Sequence, residues 1–260
     1  GWIDSVYLSQ TPDRDDAGSQ ALFLGNFSNL SPLPPTASYT NIQTFVLPPS
    51  ALGRYVIVES SLNDEDRTNN EGFAPTAVDR ADADLIVTHL ETIGDPFSGE
   101  AITIRYTVEN ASESPIWPGT KYWTDQIWLS KDAAFSVGSG RDFLLPALRS
   151  VRLANVTHSH AAPLGPGESY TMEAVATLPK GIGGDFHLYV FTNVHNKANP
   201  AADVGLWPHP PTRGLSFFER LAYEDSTNNG FRIDQPVIYS EPDLQVTSLS
   251  LPDTVIAGNT

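Results

Sequence analysis

The sequence predicts an all-β protein built from tandem sandwich modules. Three observations carry this: long-offset repetition, two-residue alternation of apolar and polar residues, and closely spaced turn signals. Repetition is the most specific of them. Trp2-Ile3-Asp4-Ser5-Val6-Tyr7-Leu8-Ser9 returns as Trp123-Thr124-Asp125-Gln126-Ile127-Trp128-Leu129-Ser130, an offset of 121. Tyr39 matches Tyr170, Leu47-Pro48 matches Leu178-Pro179 and Gly53 matches Gly184, all at 131. Asp66-Arg67-Thr68-Asn69-Asn70 returns as Asp225-Ser226-Thr227-Asn228-Asn229, and Asp84-Leu85-Ile86-Val87-Thr88-His89-Leu90 as Asp243-Leu244-Gln245-Val246-Thr247-Ser248-Leu249, both at 159.

The elements follow in chain order. Strand-type alternation marks 41–47, 55–59, 102–109, 127–129, 170–178 and 186–192. In Ile102-Thr103-Ile104-Arg105-Tyr106-Thr107-Val108, every second residue is apolar, so Ile102, Ile104, Tyr106 and Val108 share a face. Pro48-Pro49, Gly165-Pro166-Gly167, 181–184 and the two Asn-Asn pairs supply the turns. Helical periodicity is confined to one short turn within 215–223.

Changes of offset divide the chain. Residues 82–240 read as a complete unit. Residues 1–81 read as a partial unit without the first two strands, and 241–260 as the opening strand of a third. The complete unit carries extra residues near 151–167 and 194–221. Junctions at 77–84 and 239–243 are short, so neighbouring modules are expected to sit close together. Gly1 falls inside a repeat, which suggests a piece of a longer chain.

Composition narrows the function. Fifteen basic against thirty-one acidic residues give a formal charge of −16, which opposes binding to nucleic acid or anionic membranes. No apolar run approaches the ~18 residues of a membrane span. With no cysteine, disulfides and thiolate metal sites are excluded.

Taken together, these motifs resemble the CARDB domain, an immunoglobulin-like module of large bacterial surface proteins. The resemblance lies in Asp84-Leu85-Ile86-Val87, the Ser98-Gly99-Glu100 turn, Ile104 to Asn110, Trp123 to Ser130, a Gly-aromatic strand and the closing Asn228-Asn229. It implies tandem immunoglobulin-like β-sandwiches, extracellular or cell-surface placement, spacer, adhesive or fibre work, and no catalytic residues. The alternatives are a glycan- or protein-binding module and an accessory domain of a secreted hydrolase. Expected partners are neighbouring repeat modules, other copies joined by strand complementation through 241–260, and a glycan or protein ligand.

Candidate site residues fall into three groups. Asp4 and Asp125 alternate with apolar neighbours, so each carboxylate needs hydrogen-bond donors or a cation. The cation reading is Ca2+, with Asp132 and Asp142 as further oxygen ligands beside Asp125, or Asp13, Asp15 and Asp16 beside Asp4. The Asp64-Glu65-Asp66 and Glu224-Asp225 loops read as turn caps, with calcium at a module junction, through Asp225, as the alternative. The insertion 196–221 carries Trp207, His209, Phe217 and Phe218, which serve either as packing or as a recognition surface. His158 and His160 read as solvent-exposed. Walker, Gly-x-Ser-x-Gly, His-Glu-x-x-His and Gly-x-Gly-x-x-Gly motifs are all missing from the sequence, which argues against an enzyme.

Overall fold

Among the described residues, alternation yields eleven strands arranged as three antiparallel sheets. The computed structural model describes residues 1–61, 69–137, 149–159, 161–195, 198–203, 215–224, 226–240 and 244–250. Strands β1 (Trp2–Ser9), β2 (Leu22–Asn29), β3 (Gly53–Ser60) and β4 (Glu71–Val78) form a first sheet of order β2-β1-β3-β4. Strands β5 (Leu85–Ile93), β6 (Ala101–Asn110) and β9 (Ser169–Thr177) form a second, of order β5-β6-β9. The third holds β7 (Tyr122–Ser130), β8 (Ser150–Ser159), β10 (His187–Phe191) and β11 (Gly230–Asp234) in the order β11-β10-β7-β8. The short helical turn expected in 215–223 is present as α1 (Leu215–Phe218).

The second and third sheets close on each other as an immunoglobulin-like β-sandwich. Ile102, Ile104, Tyr106 and Val108 of β6 are all buried, as their alternation requires. They share one core with Trp123, Ile127 and Leu129 of β7 and with Leu188 and Val190 of β10. Burying such aliphatic side chains stabilises by roughly 1.5–3 kcal/mol each. On the outer face of the third sheet, Phe135 from the loop after β7 packs edge-on against Trp128, Tyr189 and Phe191.

The first sheet repeats the third strand for strand. β1 matches β7, and both carry a register shift at the same place, between Val6 and Tyr7 and between Ile127 and Trp128. Asn29 lies opposite Trp2 as His158 lies opposite Trp123, so β2 matches β8 at an offset of 129. This relocates one expected insertion. Residues 150–159 are a core strand of the repeat, and eight of the ten extra residues lie between β7 and β8, since the offset moves from 121 to 129 across that loop. Leu8 faces Val56 where Leu129 faces Leu188, so β3 matches β10 at 132, one residue away from the Gly53–Gly184 match. A register shift between Gly53 and Tyr55 accounts for the difference.

One expected strand does not form. Residues 41–47 correspond to β9, which is held in extended pairing by β6. Among the described residues no strand pairs with 41–47, so its backbone has no ladder to join. Ile42 and Val46 remain 87% and 69% exposed.

Candidate functional site

Asp125 sits on the core face of β7, fully buried. Its carboxylate accepts four hydrogen bonds, all from protein donors. Tyr106 Oη on β6 donates at 3.0 Å and Tyr170 Oη on β9 at 2.9 Å. Thr192 Oγ1 and the Asn193 backbone N–H, just beyond β10, donate at 2.8 and 3.1 Å. Trp123 Nε1 donates in turn to Tyr170 Oη at 2.8 Å. The carboxylate therefore pins one sheet to the other, which is how the structure meets the demand of an acid on an apolar face. Burial pushes its pKa up to about 6, against the opposing pull of these hydrogen bonds. The Tyr106 and Tyr170 hydroxyls are held protonated, by burial first and by the nearby Asp125 charge second.

A smaller version of the same pin stands in the first sheet. Trp2 Nε1 donates to Tyr39 Oη at 3.1 Å, and Tyr39 Oη donates to Asp4 Oδ2 at 2.5 Å. Asn29 Nδ2 adds a bond to the same oxygen at 2.7 Å. Asp4 is 7% exposed, and its Oδ1 finds no partner among the described residues.

A second buried acid, Glu224, lies in a loop that the sequence read as a turn cap. Its carboxylate accepts from Asn193 Nδ2, from Asn229 Nδ2 at 2.6 Å and from the Leu85 backbone N–H at 2.5 Å. Asn193, at φ 50°, also exchanges two hydrogen bonds with the Ala222 backbone, so it links both acids to the start of β5. Burial pushes the Glu224 pKa up to about 8, and the three donors oppose that rise. The available signal was the recurrence of Glu65 at Glu224, masked by its polar, turn-like surroundings.

The other candidates are dispersed. Asp132 lies past the end of β7, with its carboxylate 3.1 Å from Arg149 and its carbonyl accepting from Tyr189 Oη. Asp142, Asp225, Trp207, His209 and His160 lie outside the described residues. Phe218 is fully buried and packs edge-on against Phe217 and Tyr223, while its carbonyl accepts from Thr120 Oγ1. It is a packing residue with no surface to present to a ligand. Phe217 is half-buried and meets the His195 ring at 5.3 Å. His158 is not solvent-exposed as expected: it stacks on Tyr170 at 3.6 Å and packs beside Trp123. Among the described residues, no three His, Asp or Glu side chains converge as a metal centre would need.

No protein-family model matches the chain. No curated protein matches it. Solved structures do. One is the CARDB domain of a Pyrococcus furiosus protein in complex with di-metal ions, at 11% identity and TM-score 0.35, covering 63% of this chain and 100% of that one. Another is a β-glucosidase from Listeria innocua in complex with glucose, at 12% identity and TM-score 0.28, covering 60% of this chain and 16% of that one. A third is a Paenibacillus barengoltzii β-glucosidase, at 12% identity and TM-score 0.28, covering 61% and 16%. This chain spans only a small part of the glucosidases.

Proposed function

We propose that this chain is a non-catalytic structural module of a long extracellular bacterial protein, serving as a spacer in a series of β-sandwich repeats. The carrying observation is the Trp–Tyr–Asp pin, which recurs in both sheets as Trp2–Tyr39–Asp4 and Trp123–Tyr170–Asp125. Residues that serve catalysis or ligand capture face a cleft, whereas Trp123 and Asp125 face a closed core. Asp125 accepts from four groups of the protein itself and is shut away from solvent. The excess of acidic residues fits a surface that keeps neighbouring chains apart.

Two screens on the same preparation test the reading: labelled chain on a glycan array, and turnover of a panel of aryl glycosides. Both are expected to be blank. A saturable glycan signal lost on Phe217→Ala would overturn the spacer reading in favour of recognition by the 196–221 insertion. Turnover abolished by Glu224→Gln would overturn it in favour of an enzyme.

A further inference from the structure

On the outer face of the third sheet, one row of side chains crosses all four strands: Arg152, Trp128, Tyr189 and Arg232. The chain closes this row itself. The Arg152 guanidinium lies 5.8 Å from the Trp128 ring centroid, Arg232 donates to the Ala133 carbonyl, and Phe135 caps Trp128 and Tyr189. The matching row of the first sheet is Phe23, Tyr7, Ile57 and Phe73. Phenylalanines stand where the third sheet has arginines, and they are 51% and 59% exposed. Phe23 meets Tyr7 at 5.5 Å and Phe73 meets Tyr55 at 5.7 Å, so two aromatic pairs flank the fully buried Ile57. The side turned away from the core thus offers ring surface where the sandwich holds its own cations.

Charge on this face is mostly of one sign. Glu59 stands directly opposite Glu71 across β3 and β4, and like charges so placed repel. Asp13 and Asp15 add their fields at Glu71. Burial first, and the Asp13 charge next, hold the Glu71 carboxyl above its ordinary range. Among the described residues, Arg14 answers these acids: it pairs with Glu59, and its guanidinium lies 5.0 Å from the Tyr7 ring centroid. Arg14 therefore shows what the face accepts, a guanidinium laid on a ring with its donors on a carboxylate. Phe73 and Glu71, two positions apart on β4, offer the same two groups, and among the described residues no cation lies on that ring.

We propose that the outer face of the first sheet docks an arginine-bearing extended segment of a basic partner protein, with one guanidinium stacked on Phe73 and paired with Glu71. A second copy of this chain, at −16, is a poor partner for an acidic face. A neutral ligand would leave the facing carboxylates unrelieved. Spacing defines the segment. Phe23 and Phe73 lie three strand spacings apart, roughly 14 Å, which about four residues of extended chain cover. Arginines at i and i+4 of the partner reach both rings from one side of its strand. This goes beyond the spacer reading, since a spacer needs no docked partner.

The probe is a blocked peptide, Arg-Thr-Val-Thr-Arg, with an uncharged citrulline version of the same shape as its control. Amide shifts of the isotope-labelled chain are followed by NMR as each peptide is titrated into the millimolar range. Saturable shifts centred on Tyr55, Glu71 and Phe73 are expected, and they should be much weaker with the citrulline peptide. Phe73→Ser, at a position already 59% exposed, should weaken binding roughly twofold to fivefold. Glu71→Gln should weaken it by a similar factor, and unshifted amides at Leu188 and Val190 verify that each variant keeps the sandwich intact. Shifts spread over the acidic surface and unchanged by Phe73→Ser overturn the proposal, because charge alone would then explain them. An equal response to the citrulline peptide, or no saturable shift on β3 and β4, overturns it as well. So does cellohexaose shifting the same amides in place of the basic peptide, which would assign the face to neutral glycans.

Discussion

The first sheet and the third share one plan: the same strand order, the same bulge and the same Trp–Tyr–Asp pin. They differ in what lies across from them. The third sheet is covered by β5, β6 and β9, and Asp125 gains Tyr106 from β6 and a rigid Tyr170 from β9. The first is covered only in part, by 37–48, where Tyr39 lies on Trp2 and Phe45 on Phe27. Asp4 therefore accepts from two donors where Asp125 accepts from four. The same local sequence makes a buried inter-sheet pin in one place and a half-open one in the other. The lesson is that a motif sets the possible hydrogen bonds, while the facing sheet sets how many are made and how far they are desolvated.

The largest break in the comparison is expected at the tryptophans. Trp123→Ala empties a fully buried site and should cost about 3–5 kcal/mol in urea unfolding. Trp2→Ala, at a partly exposed site, should cost about 1 kcal/mol. Equal costs would contradict the picture of one closed and one open core. Of the described tryptophans, Trp117, Trp123 and Trp128 lie outside the first sheet and Trp2 lies in it, so fluorescence weights the sandwich.

Next in size is a pH effect centred on the two buried acids of the sandwich. Folding raises the Glu224 pKa from an ordinary 4.5 to about 8, so the folded state keeps a proton that the unfolded chain releases. Its stabilising contribution is full below about pH 4.5 and is lost as pH rises toward 8, a change of a few kcal/mol. Asp125 adds the same sign between pH 3.8 and about 6. Urea unfolding of Glu224→Gln should show a flatter pH profile than the wild type. A profile parallel to the wild type would rule out titration of this acid.

Tyr106→Phe then brings Asp125 a step toward Asp4, by deleting one of the three donors that Asp4 lacks. A loss of about 1 kcal/mol is expected, with the fold preserved. Tyr39→Phe should cost less, because its hydroxyl shares a half-open site. The smallest effect concerns calcium. The oxygens of Asp125 are engaged by protein donors, so saturating calcium should move the sandwich melting temperature by less than about a degree. A saturable rise would place a cation site among residues outside those described.

Much of this was legible before any coordinates. Alternation in 102–109 marked β6 and its buried face, because period two leaves no other way to bury Ile102, Ile104 and Val108 together. Repetition marked the matched strands, and an acid between apolar residues signalled a buried carboxylate in need of partners. Other features were hidden. Residues 41–47, also read as a strand, form none, because a β-strand requires a neighbour and a local pattern cannot report one. Strand β8 read as an insertion, since a bulged, partly polar strand at a sheet margin loses its period.

The sequence by itself determined the all-β class, the repeat, the strand faces and the acids that would have to be satisfied. These depend on local periodicity and on the cost of burying a charge, both properties of the chain. Only the tertiary structure decided who satisfies them. Tyr106, Tyr170, Thr192 and Asn193 reach Asp125 from two strands and a loop far apart in sequence, and Glu224 became a buried clamp on β5 through Asn193 and Asn229. The physical reason is that hydrogen-bond partners and desolvation are set by sheet-on-sheet packing, which no local pattern encodes.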